Sequence, residues 1–183
     1  MPMQGDAFLN LVNRRQSTRA YRPDPVPRAV IERCLEAARL APSACNSQPW
    51  LFLVADTPPA RQKLADAAFS GIYSAFKFAA AAPALIALVT ERSRYAAAVA
   101  GWWRGEQYNL VDIGIAGEHF VLQAAAEGLG SCWIGWFNEK ALKHALALPR
   151  GSRVDILISL GYPADTASRP KIRKPLDAMR QYI

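Results

Sequence analysis

Three arginines, Arg14, Arg15 and Arg19, fall within six residues, with Ser17 and Thr18 among them. A hydroxyl flanked by guanidinium forks suits a phosphate, because the planar fork pairs with phosphate oxygens in a bidentate way. The same stretch also reads as a solvated basic turn in which Ser17 or Thr18 caps a helix. A second basic cluster, Arg169, Lys171, Arg173, Lys174 and Arg180, lies far along the chain. Pro170 and Pro175 keep it extended, so Lys171 and Arg173 point the same way and form a second cationic clamp. A third stretch, Ala41-Pro42-Ser43-Ala44-Cys45-Asn46-Ser47-Gln48-Pro49-Trp50, sets two hydroxyls and two primary amides between stiff prolines. Such a loop suits a planar ligand whose rim alternates donors and acceptors. Its plainer reading is a capping loop in which Ser43 and Asn46 bond their own backbone.

The formal net charge is +7, which raises nucleic acid as a partner. No helix-turn-helix, RNP-type or zinc-finger pattern supports that reading, and the favoured one is the phosphate of a small anionic cofactor. Cys34, Cys45 and Cys132 form no CxxC pair, and His119 and His144 stand apart. Zinc or iron–sulfur spacing is therefore lacking, no metal is expected, and sparse cysteine suits a reducing compartment. Residues 78–89 are apolar but short and interrupted by Pro83, and Met1-Pro2-Met3-Gln4-Gly5-Asp6 has no basic start or apolar signal core. The expectation is a cytoplasmic protein with no membrane span. No acid–base pair stands out. Trp102, Trp103 and Tyr108 cluster in residues 95–108 and, with Tyr73, either pack as core or interface or wall a flat substrate.

Positioning these groups takes one compact core, for which 183 residues at 51% hydrophobic suffice; the expected domain is residues 1–183. Asp6 starts a helix with Phe8, Leu11 and Val12 inward. Asp24-Pro25-Val26-Pro27 opens a second helix, whose Ile31, Cys34, Leu35 and Ala38 share a face and which Pro42 ends. Residues 50–54 read as a buried strand and 84–90 as another, with a helix to about Phe69 and a mobile segment 70–77 between them. Residues 107–128 form the longest helix. Val111, Ile115, Leu122 and Ala125 line one side of it, and Leu110, Ile113, Phe120 and Val121 make the rest apolar. A helix apolar nearly all round needs cover on every side, which in a chain this small predicts a homodimer. Residues 132–137 read as a strand running into a turn, where Gly135 lets a backbone amide approach a ligand closely or marks a bulge. A short helix over 139–148 and a strong strand over 154–163 follow.

Five motifs in this order resemble the nitroreductase family of FMN-dependent NAD(P)H oxidoreductases, in its short form. They are Arg15-Gln16-Ser17-Thr18-Arg19; Ala41-Pro42-Ser43 with Asn46 and Gln48-Pro49-Trp50; Gly128-Leu129-Gly130-Ser131-Cys132-Trp133-Ile134-Gly135; Leu160-Gly161-Tyr162-Pro163; and Lys171-Ile172-Arg173. The resemblance implies an α+β fold, a central and mostly antiparallel sheet wrapped by helices, in an obligate homodimer with FMN at the interface. It implies that Arg15, Gln16, Ser17 and Arg19 hold the flavin, joined at the phosphate by Lys171 and Arg173. Pro42, Ser43, Ala44 and Asn46 would reach it from the partner subunit, and Trp133, Ile134 and Gly135 would lie along its rings. Lys77, in Ser74-Ala75-Phe76-Lys77, stands where relatives have a further polar or basic contact, and His119 stands where many carry Asn.

The implied function is transfer of hydride from NADH or NADPH through FMN N5 to a nitroaromatic, quinone or similar flat acceptor, by ping-pong kinetics. No side chain is needed as a catalyst, and Tyr73, Trp102, Trp103 and Tyr108 are the candidates for the substrate wall. Two alternatives stand beside it. One is a specialised flavin reaction on the same fold, such as reductive dehalogenation, flavin destruction or dehydrogenation. The other is a cofactor-free basic protein that binds nucleic acid.

Overall fold

A computed structural model describes residues 5–91, 107–165, 167 and 169–183. At its centre are β1 (Trp50–Ala55), β2 (Ala84–Thr90), β3 (Gly130–Ile134) and β4 (Arg153–Gly161), in the order β1-β2-β4-β3. Every neighbouring pair is antiparallel. Strand β2 is apolar up to Thr90 and wholly buried because it has a strand on each side and helices over both faces. Its residues alternate between two cores. Ala84, Ile86 and Leu88 face Ile31, Cys34 and Ala38 of α2 (Arg28–Arg39) and Ile113, Phe120 and Ala124 of α4 (Tyr108–Ala126). Leu85, Ala87 and Val89 face Leu64, Ala65 and Ala68 of α3 (Pro58–Ala68) and Leu142 of α5 (Glu139–Ala145). Each fully buried Leu, Ile or Phe side chain contributes about 2 kcal/mol. The fold is α+β, as expected.

Several expectations change in detail. Strand β1 is half-buried, not buried, because it is the sheet's edge and lacks a neighbour on one side. Residues 71–77 belong to a 3₁₀ helix, Gly71–Ala81, that follows Ser70 and stops before Pro83. Helix α4 turns Asp112, Ile113, Ala116, Gly117, Phe120, Val121 and Ala124 inward, while Val111 is 58% exposed. The apolar stripe proposed through Val111 is thus not the buried one. Helix α1 (Gly5–Arg14) has no buried residue: Leu11 and Val12 are half-buried and Phe8 is exposed. Trp102 and Trp103 lie outside the described residues. Among those described, no helix is long and apolar enough to cross a membrane.

His119 gains a role. Its Nδ1 lies 3.1 Å from the Ala37 carbonyl. A carbonyl only accepts, so Nδ1 carries the proton and the ring pins α4 to α2.

Candidate functional site

Residues 15–19 are laid against the end of β3. The Thr18 N–H donates to the Ser131 carbonyl at 2.9 Å, and Ser17 bridges to Ser131 in parallel. Gly130 is glycine for a steric reason: a Cβ there would overlap the Thr18 hydroxyl and Cβ. Three residues on, the Tyr21 hydroxyl donates to the Thr18 carbonyl at 2.8 Å and sits 2.7 Å from Ser159 Oγ. Burial raises the Tyr21 pKa, so the phenol stays protonated and keeps that bond.

The tail returns to the same place. Lys171 Nζ donates to the Arg15 carbonyl at 2.5 Å, and Arg169 Nη2 donates to the Ser17 carbonyl at 2.5 Å. The Gln16 side chain donates to the Ala167 carbonyl at 3.1 Å and accepts from Arg169 Nε at 3.2 Å. Both ends of the chain therefore meet, and they meet with excess positive charge. The Lys171 ammonium lies below its usual pKa, first from desolvation and then from the charges of Arg15 and Arg173. Arg15 Nε lies 4.0 Å from Oε1 of Glu118. Burial raises the pKa of the Cys132 thiol, while the charge of Arg19, a hydrogen bond with Ser17 and the charges of Arg15 and Arg169 pull it back. A cleft of about 230 Å³ opens here between Gln16, Arg19, Asp165 and Arg169.

The proline-bounded loop is a separate construction. A short 3₁₀ turn, Ala44–Asn46, follows Ser43, whose Oγ accepts from the Gln48 N–H at 3.0 Å. The Gln48 amide donates to the Asn46 carbonyl and to Asn46 Oδ1 at 3.1 Å. The plainer reading of Ser43 thus holds as far as its own backbone is concerned. From outside, the buried carboxylate of Asp112 accepts the Ala44 N–H at 3.0 Å. Asp112 Oδ2 is buried with no hydrogen-bond partner among the described residues. Cys45, Asn46 and Gln48 all have positive φ, between 45° and 52°.

The third group, Trp133, Ile134 and Gly135, spans the end of β3. The Trp133 ring packs on Gly117 of α4, where a Cβ would overlap it, and the Ile134 side chain is buried. Gly135 is open: a Cβ there would meet only Ile156 Cδ1, at 3.9 Å. Tyr73 meets Trp136 in a tilted pair, ring centroids 5.4 Å apart, and Tyr108 opens α4. Lys77 lines a different cleft with Gln62, Asp66 and Ser74, away from the arginines. Arg173 is exposed beside Lys171, and Pro42 is exposed at the loop's start.

Three residues escaped the sequence reading of the site. Arg169 was visible only as one cation in a basic cluster. Trp136 stands next to Gly135 and is 55% exposed. Asp112 had a usable signal, being a lone carboxylate within the apolar run of α4.

Comparison with known proteins places this arrangement. The sequence profile of the nitroreductase family matches residues 12–75 and 73–162. An Archaeoglobus fulgidus protein named as an NADH dehydrogenase/NAD(P)H nitroreductase is 32% identical over 168 residues, covering 86% of each chain. The crystal structure of a nitroreductase family protein from Streptococcus pneumoniae superposes with a TM-score of 0.81 at 27% identity, over 96% of this chain and 100% of the other. A nitroreductase from Exiguobacterium sibiricum in complex with FMN shares the fold, with a TM-score of 0.79 at 22% identity over the whole of both chains. Its profile match, its relatives and its fold agree that this chain belongs to the nitroreductase family.

Proposed function

We propose that this chain is an FMN-dependent oxidoreductase that carries electrons from NADH or NADPH to a small flat acceptor, such as a nitroaromatic or a quinone, and works as a homodimer. The observation that carries the reading is the meeting of Lys171 with Arg15 and of Arg169 with Ser17. Residues more than 150 positions apart are joined there by cationic side chains, which suits an anion as a further partner.

The residues present fit FMN. Arg15, Ser17, Arg19, Lys171 and Arg173 offer guanidinium, hydroxyl and ammonium donors, the set that a phosphate and a carbonyl-rich ring edge require. Trp133, Ile134 and Gly135 would offer backbone along the ring system, where open Gly135 leaves room for close approach. Pro42, Ser43, Ala44 and Asn46 would come from the second copy, since the loop faces outward with Cys45 and Asn46 exposed. When bound, FMN supplies the electron and hydride transfer between nicotinamide and acceptor. The chain's own work is to bind, orient and lower the cost of negative charge, which the cationic cluster does. Tyr73, Trp136 and Tyr108 are candidates to wall the acceptor, together with Trp102 and Trp103.

Exposed apolar side chains support the dimer. Phe8 and Leu9 on α1, Leu110 and Val111 on α4, and Ile172, Leu176, Met179 and Tyr182 on the tail face solvent in the single chain. A second copy would cover them. Three free cysteines suit a reducing, cytoplasmic setting.

The test is the visible absorbance of the purified protein after incubation with FMN, followed by anaerobic addition of NADH and of NADPH. Flavin bands that bleach with a nicotinamide support the reading; a protein that stays colourless overturns it. Arg15→Ala should weaken FMN binding by roughly tenfold to a hundredfold, the worth of a hydrogen bond to a charged group. Undiminished flavin content after gel filtration would remove Arg15 from the site. A monomer mass by light scattering at micromolar concentration would count against the dimer.

A further inference from the structure

Gln16 lies between Arg15 and Ser17, in the segment that offers donors to a phosphate, yet its side chain is engaged elsewhere. Its Nε2 donates to the Ala167 carbonyl at 3.1 Å. Its Oε1 accepts from Arg169 Nε at 3.2 Å and from the Arg169 N–H at 3.4 Å. A primary amide can give a proton to a carbonyl and take one from a guanidinium at the same time. Arginine or lysine here would only donate and would repel Arg169. A carboxylate would attract Arg169 but face the Ala167 carbonyl with no proton to give. Two residues further along, Lys171 reaches the Arg15 carbonyl. Beyond it the tail is exposed, Ile172 at 92% and Tyr182 at 84%. The contacts of Gln16 thus fall on the last stretch of chain before the clamp.

We propose that Gln16 is a positioning residue, fastening Ala167 and Arg169 so that Lys171 stands ready at the cofactor phosphate. The inference rests on the FMN reading above. Its side chain acts through the tail and not by touching the ligand. A docked tail leaves less freedom to be lost when the ligand arrives, which is how pre-organisation raises affinity.

Titrating the apo-protein with FMN and with riboflavin, which lacks the phosphate, tests this. The proteins compared are wild type, Gln16→Ala, Lys171→Ala and the double variant. Gln16→Ala should weaken FMN by roughly fivefold to tenfold, a modest pre-organisation effect. It should leave riboflavin unchanged, and in the Lys171→Ala background it should add little. Arg169→Ala, which removes the other half of the fastening, should repeat the pattern. Equal weakening of both ligands, or the same loss with and without Lys171, would overturn the inference and leave the FMN reading standing. A wild-type protein that binds neither flavin would overturn both.

Discussion

Residues 15–19 and residues 43–48, the two segments proposed to hold the flavin from either subunit, are held in different ways. The first segment is joined to β3 by the Thr18–Ser131 backbone bond, to β4 through Tyr21, and to the tail through Gln16, Arg169 and Lys171. The second is held largely by bonds within itself, with the Asp112 carboxylate reaching in from α4. It also carries three non-glycine residues at positive φ, a conformation that costs on the order of 1 kcal/mol each and is mildest for Asn46. The cationic end is thus completed inside one chain. The loop is shaped inside the chain but directed out of it, as a segment lent to a neighbour would be.

The sharpest way to break this contrast is at Gly130. A valine there would drive its side chain into Thr18 Oγ1, Cβ and Cγ2, none of which is the free end of a long side chain. Overpacking of this kind costs typically 1–3 kcal/mol, and about 3 kcal/mol is expected because Thr18 is fixed by its own backbone bond. Urea unfolding of Gly130→Val should show it, together with loss of FMN binding. A variant with unchanged stability would mean that residues 15–19 are not seated on β3. The Pro42 loop, on the other side of the contrast, has no such glycine.

Much of this was legible beforehand, for physical reasons that differ between elements. Strand β2 is apolar up to its last residue, Thr90, and β4 is an apolar run broken by Asp155 and Ser159, because both lie inside the sheet; such runs survive in sequence whatever surrounds them. The helical spacing of Ile31, Cys34 and Ala38 was equally plain. The clamp was legible as charge, since Lys171 and Arg15 are cations in proline-bounded or turn-rich stretches. What could not be read was direction. Whether Val111 or Ile113 faces inward depends on how α4 is rotated against β2, and an all-round apolar helix carries no record of that. The resemblance implies that Trp133 lies along the flavin rings; the structure adds that its side chain packs on Gly117. That pairing spans two elements and leaves no local signal. Gln16 looked like a ligand contact because its neighbours do; only the tail's position shows where its amide goes.

Asp112 sharpens the loop side of the comparison. Asp112→Ala removes the acceptor of the Ala44 N–H but also removes a buried carboxylate oxygen that lacks a partner among the described residues. The two effects oppose each other in global stability, so the local readout decides. Amide exchange at Ala44 should speed up by roughly tenfold, the worth of one hydrogen bond, while exchange at Thr18 stays as it was. Asp112→Asn, which keeps an acceptor, should restore protection. Faster exchange at both amides would show the two regions to be one cooperative unit.

The smallest effect concerns the tie between the helices that serve the two regions. Helix α2 runs up to the loop, and α4 ends just before Gly130. Arg33 on α2 donates from Nε and Nη2 to both oxygens of Glu127 at 2.7 Å, and Gln123 adds a third bond at 2.9 Å. The hydrogen bond from Arg33 is the main reason that the Glu127 carboxyl lies near 2, below its ordinary 4.5, with desolvation opposing. A carboxyl whose pKa is lowered by folding stabilises the folded state above its unfolded value and loses that contribution as pH falls through its folded one. The contribution is therefore full above about 4.5 and fades toward 2. Arg33 is half exposed, so salt screens the pair and the effect stays small. Urea midpoints for wild type and Glu127→Gln should differ most at pH 6, converge toward pH 2, and differ less in high salt. A gap that widens on acidification would reverse the sign and rule out the ion pair as the tie between α2 and α4. A gap that closes, with exchange at Ala44 and Thr18 unchanged, would show that each region is set by its own contacts and not by the helix pair beneath them.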